Sequence, residues 1–302
     1  MLSYLHSFHA GNHADILKHV TLLYVLEYLN KKEKPYSFFD THAGSGLYDL
    51  MAENALKTGE ARLGIERLLS EYKNNATEMP FALAPYLEFV KKSLENGFYP
   101  GSPAFEISFS KKGSFINLTE LHRTEFESLK KNVERLKPSC SVNLLNDSGW
   151  NILKKNIPPA IKRGAILCDP SYEEKSDYTD AAELLSAAHK KWSAATVLLW
   201  YPLLANKSEE IENMKQSILS AAKKRDSHTE ILDAWLLVDT EDSHTETTLE
   251  KSIGSEKPRL YGSGMFAVRP CWGLKEHLES VLPYLAELLG KEGNGSYKIE
   301  LF

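Results

Sequence analysis

Short apolar segments and helical patterns alternate along the middle of the chain, and this alternation constrains the fold more than any other feature. Four such segments, each followed by a helical pattern, lie at 114–118, 141–145, 165–168 and 196–200. An earlier aromatic-rich strand, 36–39, follows an apolar helical pattern at 15–29. Strands alternating with helices predict a mostly parallel sheet that is covered by helices on both faces.

Two segments depart from this alternation. Residues from about 50 to 100 carry amphipathic patterns at 60–72 and 86–94, and we expect them to form a helical insertion within a single domain spanning 1–302. The late strands 231–238 and 265–268 leave no room for a helix between them and predict an antiparallel hairpin at one edge of the sheet. The polar stretch 240–260 is expected to be a mobile loop.

Composition limits the class of protein. The 302 residues are 42% hydrophobic, enough to bury a full core, and three widely spaced cysteines give no disulfide framework or metal pattern. A reducing, cytoplasmic compartment fits this cysteine usage. The N-terminus does not read as a signal peptide, and no apolar run approaches the ~18 residues that a membrane span needs.

The formal net charge of −5 argues mildly against a nucleic-acid partner, unless basic charge is clustered. Clusters are present at 31–34, 154–163 and 223–225. They are either ordinary solvated helix ends and loops or parts of an RNA-facing surface near a pocket.

Acidic residues follow four of the predicted strands: Asp40, Glu120, Asp147 and Asp169. Ligands of open parallel sheets bind outside the carboxyl ends of the strands. We therefore expect these carboxylates to gather around one ligand site.

The first of them begins the loop 40–46, which contains Gly44 and Gly46. Glycines let the backbone approach a ligand closely. A dinucleotide fingerprint needs a third glycine where this chain has Asp49, whose carboxylate would repel a pyrophosphate. An acidic residue before the glycines suits a cationic ligand such as S-adenosylmethionine, although a tight strand-to-helix turn remains the alternative.

The next two carboxylates suit the nucleoside part of the same cofactor. Glu120 at a strand end can accept hydrogen bonds from both ribose hydroxyls, and Asp147 can accept from the adenine amine. A surface glutamate and an ordinary turn at 146–149 are the alternatives.

The last carboxylate lies in the segment Asp169-Pro170-Ser171-Tyr172. It resembles the Asp-Pro-Pro-Tyr motif of enzymes that methylate adenine amines. Such an amine is a poor nucleophile, and Asp169 together with the Pro170 carbonyl can accept its two N–H groups and localise the lone pair. Tyr172 is expected to stack on a flipped base. A proline-containing turn without chemistry is the alternative.

Four histidines stand between Tyr4 and His19, but their spacing is not that of a zinc helix. We expect no metal; neutral hydrogen-bonding groups around a cofactor or base are the better interpretation.

Taken together these motifs resemble the RlmJ family, bacterial 23S ribosomal RNA adenine-N6 methyltransferases, over almost the whole chain. The resemblance rests on the segments 4–19, 40–44, 99–103, 120–122, 169–173, 200–202 and 262–265. It implies an α/β fold, the Rossmann-like class I S-adenosylmethionine-dependent methyltransferase with a helical insertion subdomain.

The resemblance also implies residue roles. Asp169 would be catalytic, with Pro170 and Tyr172 beside it, and Tyr4 would contact the RNA. The cofactor would be bound by His19, His42, Ser102, Glu120, Asp147 and Ser148, and the motifs described above add Asp40, Gly44 and Asp169 to this set. The implied substrate is adenine 2030 of free 23S rRNA, methylated before subunit assembly. No obligate protein partner is implied, and a monomer is expected.

Two residues depart from the family pattern: Ser171 replaces the second proline of the motif, and Ser148 stands where glycine is usual, one place before Gly149. A DNA adenine-N6 methyltransferase uses the same motif chemistry. A non-catalytic RNA- or cofactor-binding protein, linked to the use of external DNA, is a further alternative, as is a methyltransferase of protein amides, which favours Asn at 169.

Overall fold

The predicted alternation of strands and helices is present in the computed structural model, which describes residues 5–241 and 260–302. The strands are β1 (Ser37–Asp40), β2 (Leu47–Tyr48), β3 (Tyr99–Pro100), β4 (Phe115–Thr119), β5 (Ser141–Leu145), β6 (Gly164–Cys168), β7 (Thr196–Leu204), β8 (Ile231–Leu237), β9 (Leu260–Val268) and β10 (Ser296–Leu301). The α-helices are α1 (His13–Asn30), α2 (Glu53–Thr58), α3 (Glu60–Leu63), α4 (Ile65–Asn75), α5 (Ala84–Glu95), α6 (Ser102–Phe109), α7 (Arg123–Leu136), α8 (Gly149–Asn156), α9 (Ser176–Lys191), α10 (Ser208–Arg225) and α11 (Leu274–Leu289).

Eight strands form one sheet in the order β10-β8-β9-β7-β6-β1-β4-β5. Five neighbouring strands of this sheet are parallel to one another, as predicted: β7, β6, β1, β4 and β5. β9 is antiparallel to both β7 and β8. The expected hairpin therefore exists, but its placement at the sheet edge was wrong: β10 pairs with β8 and forms that edge.

Two apolar clusters cover the two faces of the sheet. One contains residues of α1, α6 and α11, and the other contains residues of α9 and α10. Asn12 caps the N-terminus of helix α1, because its side-chain oxygen accepts hydrogen bonds from the backbone N–H groups of Ala14 and Asp15. Because α1 is buried on nearly all sides, its polar residues Asp15 and Lys18 lie in the interior.

Helices α2 to α5 lie in the region expected to be an insertion, between the two strands of the antiparallel pair β2–β3. The helical pattern at 60–72 is broken at Gly64. A side chain there would place its Cβ 2.2 Å from the carbonyl oxygen of Gly11, which accepts a hydrogen bond from Ile65 N–H. The N-terminal segment thus packs directly on the insertion.

Helix α11 and strand β10 were not anticipated, although Leu274, Leu278, Val281, Leu285 and Leu289 have helical spacing. Most of the loop expected at 240–260 lies outside the described residues. Within 5–241 and 260–302, no helix combines the length and apolar character that crossing a bilayer requires.

Candidate active site

A pocket opens at the carboxyl ends of β1, β4 and β6, at the sheet edge where ligands of such folds bind. It is lined by most of the residues that the sequence singled out: His19, His42, Gly44, Ser102, Glu120, Ser148, Asp169 and Pro170. The structure therefore brings the ends of β1, β4 and β6 together around one pocket.

Glu120, which follows β4, forms a hydrogen bond with the loop that follows β1. Its Oε2 accepts a hydrogen bond from Gly44 N–H at 2.8 Å, and its Oε1 accepts one from His122 N–H at 2.6 Å. Burial raises the pKa of this carboxyl, and the two backbone hydrogen bonds oppose that shift. Each oxygen retains lone-pair capacity toward the pocket, so the group can still accept from a pair of hydroxyls.

The loop after β1 is shaped by close contacts. Gly44 has φ +59°, and a Cβ there would lie 2.2 Å from the Tyr48 hydroxyl oxygen. Asp40 does not line the pocket but lies fully buried beneath the loop. It accepts hydrogen bonds from His42 N–H (3.0 Å) and from the Ser102 hydroxyl (2.7 Å). It therefore acts on the pocket through residues that do line it.

Two of the four histidines that line the pocket, His19 and His42, are held in the neutral form by burial. Burial lowers the pKa of His19 to about 3 and that of His42 to about 4. His19 Nδ1 lies 3.2 Å from the Tyr99 hydroxyl, and the His42 ring meets Trp150 edge-on with centroids 4.8 Å apart. Among the described residues no group of three or more His, Cys, Asp or Glu side chains is arranged to hold a metal.

Besides Asp40, two further expected residues do not line the pocket. Asp147 is partly exposed beside it and accepts a hydrogen bond from Ser148 N–H at 2.7 Å. Tyr172 is buried, with φ +53°, its hydroxyl donating to the carbonyl oxygen of Trp200 at 2.8 Å and its ring against Tyr178. In this arrangement the Tyr172 ring does not face the pocket, so stacking on a base requires residues 170–172 to rearrange.

The pocket contains a cation that was not anticipated. Lys18 Nζ lies 2.6 Å from Asp169 Oδ2 and 3.0 Å from Asp15 Oδ1, and its side chain is only 6% exposed. Burial alone lowers the pKa of Lys18, but the carboxylates of Asp15 and Asp169 raise it well above its usual range. A lysine and an aspartate three residues apart inside an otherwise apolar helix were the available signal in the sequence.

Asp15, the second carboxylate partner of Lys18, is held in place by two hydrogen bonds of its own. Its Oδ2 accepts hydrogen bonds from Gly11 N–H at 2.9 Å and from His6 at 3.0 Å. Burial favours the neutral acid, but His6 and Lys18 hold the pKa of Asp15 well below its usual range. The N-terminal segment is thus tied to Asp169 through a chain of charged contacts. Tyr4 lies outside the described residues.

The basic clusters 31–34 and 223–225 do not surround the pocket. For these two clusters the prediction of an RNA-facing surface near the pocket was wrong. The Arg163 side chain bonds to the carbonyl oxygen of Lys34 just before β1 and β6 begin. Arg225 bonds to Ser193 just before β7 begins. Both clusters therefore lie at the amino ends of the parallel strands, across the sheet from the pocket.

Comparison with known proteins agrees with this geometry. Residues 33–302 match the family model described as Ribosomal RNA large subunit methyltransferase D, RlmJ. Ribosomal RNA large subunit methyltransferase J of Haemophilus influenzae is 33% identical, covering 99% of this chain and 98% of the relative. Its namesake in Escherichia coli K12 is 32% identical, covering 98% and 96% respectively.

A crystal structure of a Legionella pneumophila protein matches with a TM-score of 0.79 at 28% identity, covering 97% of this chain and 98% of that one. The sheet topology and the pocket at the carboxyl ends of its strands agree with the family of the sequence relatives. The chain belongs to the RlmJ family of methyltransferases.

Proposed function

We propose that this protein transfers a methyl group from S-adenosylmethionine to the N6 amine of one adenine in 23S ribosomal RNA. The supporting observation is that Asp169 and Glu120, a candidate base-amine acceptor and a candidate ribose acceptor, line the same pocket. The two relatives are named as ribosomal RNA large subunit methyltransferases, which supports an RNA substrate. The family's target, adenine 2030 of free rRNA, is the specific expectation.

The residues of the pocket fit this cofactor. Glu120 offers two carboxylate oxygens for ribose hydroxyls, and Gly44 leaves room where a side chain would collide with Tyr48. Ser148 N–H already bonds to Asp147, so we assign the adenine contact to this turn as a whole. The cofactor, when bound, supplies an electrophilic methyl group on a sulfonium.

Asp169 supplies the acceptor for the target amine. Lys18 occupies Oδ2, and none of the described residues donates a hydrogen bond to Oδ1. In our proposal Oδ1 accepts one N–H of the adenine amine and the Pro170 carbonyl accepts the other. Two such bonds favour a pyramidal nitrogen with a localised lone pair, and positioning with electrostatics supplies most of the rate.

The test is methyl incorporation from labelled cofactor into three substrates: naked 23S rRNA, assembled large subunits and duplex DNA. We expect labelling of naked rRNA, recovered as N6-methyladenosine at one position. Labelling of duplex DNA alone would establish a DNA methyltransferase. Binding of S-adenosylhomocysteine without labelling of any substrate would establish a non-catalytic binding protein.

Tyr4 is proposed as an RNA contact. Stacking of an aromatic side chain on a base contributes roughly 1–3 kcal/mol. We expect Tyr4→Ala to lose RNA methylation while S-adenosylhomocysteine affinity and the melting temperature stay unchanged. Normal methylation by this variant would remove Tyr4 from the RNA contact.

A further inference from the structure

Glu106 is a buried acid that the proposed reaction does not use. It lies on α6, and its side chain is 0% exposed. Neither carboxyl oxygen receives a hydrogen bond from any donor in the described part of the chain. A buried carboxylate without a donor is strongly destabilised, so this group requires an explanation.

The neighbour of Glu106 is a second carboxyl group. Asp40, the residue beneath the loop after β1, is the charged group that acts most strongly on Glu106, and the two side chains lie close enough for a hydrogen bond if one of them carries a proton. The other titratable groups that act on Glu106 are Cys140 and, more weakly, the Lys18 ammonium. Two carboxyl oxygens in contact are both acceptors, so a hydrogen bond between them exists only if one of them carries a proton.

Hydrogen bonding decides which group holds that proton. Asp40 already accepts from His42 N–H and from the Ser102 hydroxyl, contacts that favour its anion. Glu106 accepts from none of the described donors, so nothing there favours its anion. The neutral acid therefore belongs on Glu106 and the anion on Asp40.

We propose that Glu106 is a positioning residue: it stays protonated, donates its O–H to Asp40 and thereby fixes the carboxylate that holds His42 and Ser102 at the pocket. The donated bond restricts the orientation of the Asp40 carboxylate. Both of its pocket-side contacts then keep one geometry. That Ser102 and His42 serve the cofactor rests on the proposed function, whereas the shared proton does not.

The charge state agrees with this assignment. Burial, followed by the Asp40 charge, raises the pKa of Glu106 well above its usual range. Burial raises the pKa of Asp40 to about 6, with the Ser102 and His42 hydrogen bonds opposing the shift. Such a pair titrates as a unit, and the first proton it binds is held tightly.

The first experiment measures the melting temperature of wild type and Glu106→Gln between about pH 5 and about pH 8.5. A group whose pKa is raised on folding contributes stability that is complete below its unfolded pKa and is lost as the pH rises toward its folded pKa. The wild type should therefore lose stability with rising pH relative to the variant. Glutamine keeps the shape and donates an N–H to Asp40 without titrating.

We expect the melting temperature of Glu106→Gln minus that of wild type to increase by at least about 2 °C across this range. The control Glu134→Gln makes the same change at an exposed site on α7, and its difference should stay flat. A flat difference for Glu106→Gln would overturn the shared proton, and so would a difference that falls with pH.

The second experiment addresses positioning by calorimetric binding of S-adenosylhomocysteine near neutral pH. Glu106→Gln should keep the affinity within about threefold, whereas Glu106→Met, which has no donor for Asp40, should lose at least about tenfold. Equal affinity of the two variants would overturn the positioning role. Absence of binding by wild type would instead overturn the proposed function. The melting experiment would still decide whether Glu106 carries the proton that it shares with Asp40.

Discussion

The ion pair between Lys18 and Asp169 brings a charge from α1 to the carboxyl end of β6. Both partners are largely buried, and removing one member of a buried pair typically costs about 3–5 kcal/mol. Here the cost is reduced because Lys18 keeps Asp15 as a second partner at 3.0 Å. Substitution of Asp169 is therefore expected to affect chemistry more than folding.

We predict that Asp169→Asn loses more than about tenfold in methylation rate, a barrier increase above ~1.4 kcal/mol, because the amide removes the anionic acceptor. S-adenosylhomocysteine affinity should change by only a few-fold. The same substitution at exposed Asp180 on α9 controls for charge. A turnover above about a tenth of wild type would exclude Asp169 as the acceptor.

Glu120 gives a second prediction at this scale. Glu120→Ala removes charge-assisted hydrogen bonds worth roughly 1.5–3 kcal/mol, so S-adenosylhomocysteine should bind roughly 10- to 150-fold more weakly by calorimetry. Glu127→Ala, on the exposed face of neighbouring α7, should bind normally. If both variants bind like wild type, Glu120 is not a cofactor residue.

Elements bring these residues together, and the loop after β1 is the most constrained of them. Gly44 combines a left-handed backbone with a closely approaching Tyr48 hydroxyl. Gly59 at the end of α2 has a similar φ of +64° but open space around the position of a Cβ. Comparison of alanine substitutions at the two positions therefore separates the cost of a left-handed backbone from the cost of a steric collision.

We predict that Gly44→Ala lowers S-adenosylhomocysteine affinity at least about tenfold, since the loop must shift away from Tyr48 and Glu120. Gly59→Ala carries only the left-handed penalty of roughly 1–2 kcal/mol and should bind the ligand normally. Calorimetry on both variants checks this. Equal losses would mean that the loop contacts are irrelevant to binding.

The sequence was informative where signals are local. Strand ends, the glycine loop and the Asp169 motif could be located because each combines a period change with a special residue. The position of β9 between β7 and β8 could not, because it depends on pairing between distant segments. Glu106 was missed for the same reason, because its neighbour Asp40 lies on another element. Lys18 has one partner, Asp15, on its own helix, but its contact with Asp169 after β6 could not be read from the flanking sequence.

At the scale of the molecule, charge is distributed unevenly around the sheet. The 31–34 and 223–225 clusters lie at the amino ends of the parallel strands, while the pocket opens at the carboxyl ends. An RNA whose target base enters the pocket should contact mainly the pocket edge. The lysines at the far edge are then ordinary solvated charges.

We predict that replacing Lys31, Lys32 and Lys34 together by glutamine leaves RNA affinity and its salt dependence unchanged. Each phosphate contact contributes about 0.7–0.9 to the slope of log affinity against log salt. Filter binding at several salt concentrations measures this slope. A slope reduced by about two or more would place the RNA across the far edge as well.

The position of β9 has a consequence for how the chain is made. While the ribosome has delivered only the residues up to β8, β7 lacks its neighbour on one side, and β8 lacks both of its partners. The strand that separates them arrives later, and β10, which covers the remaining edge, arrives last. Incompletely synthesised nascent chains therefore expose unpaired strand edges, and such edges aggregate or recruit chaperones. Synthesis of β10, rather than emergence of the methyl-transfer motifs, is therefore the event that completes this sheet.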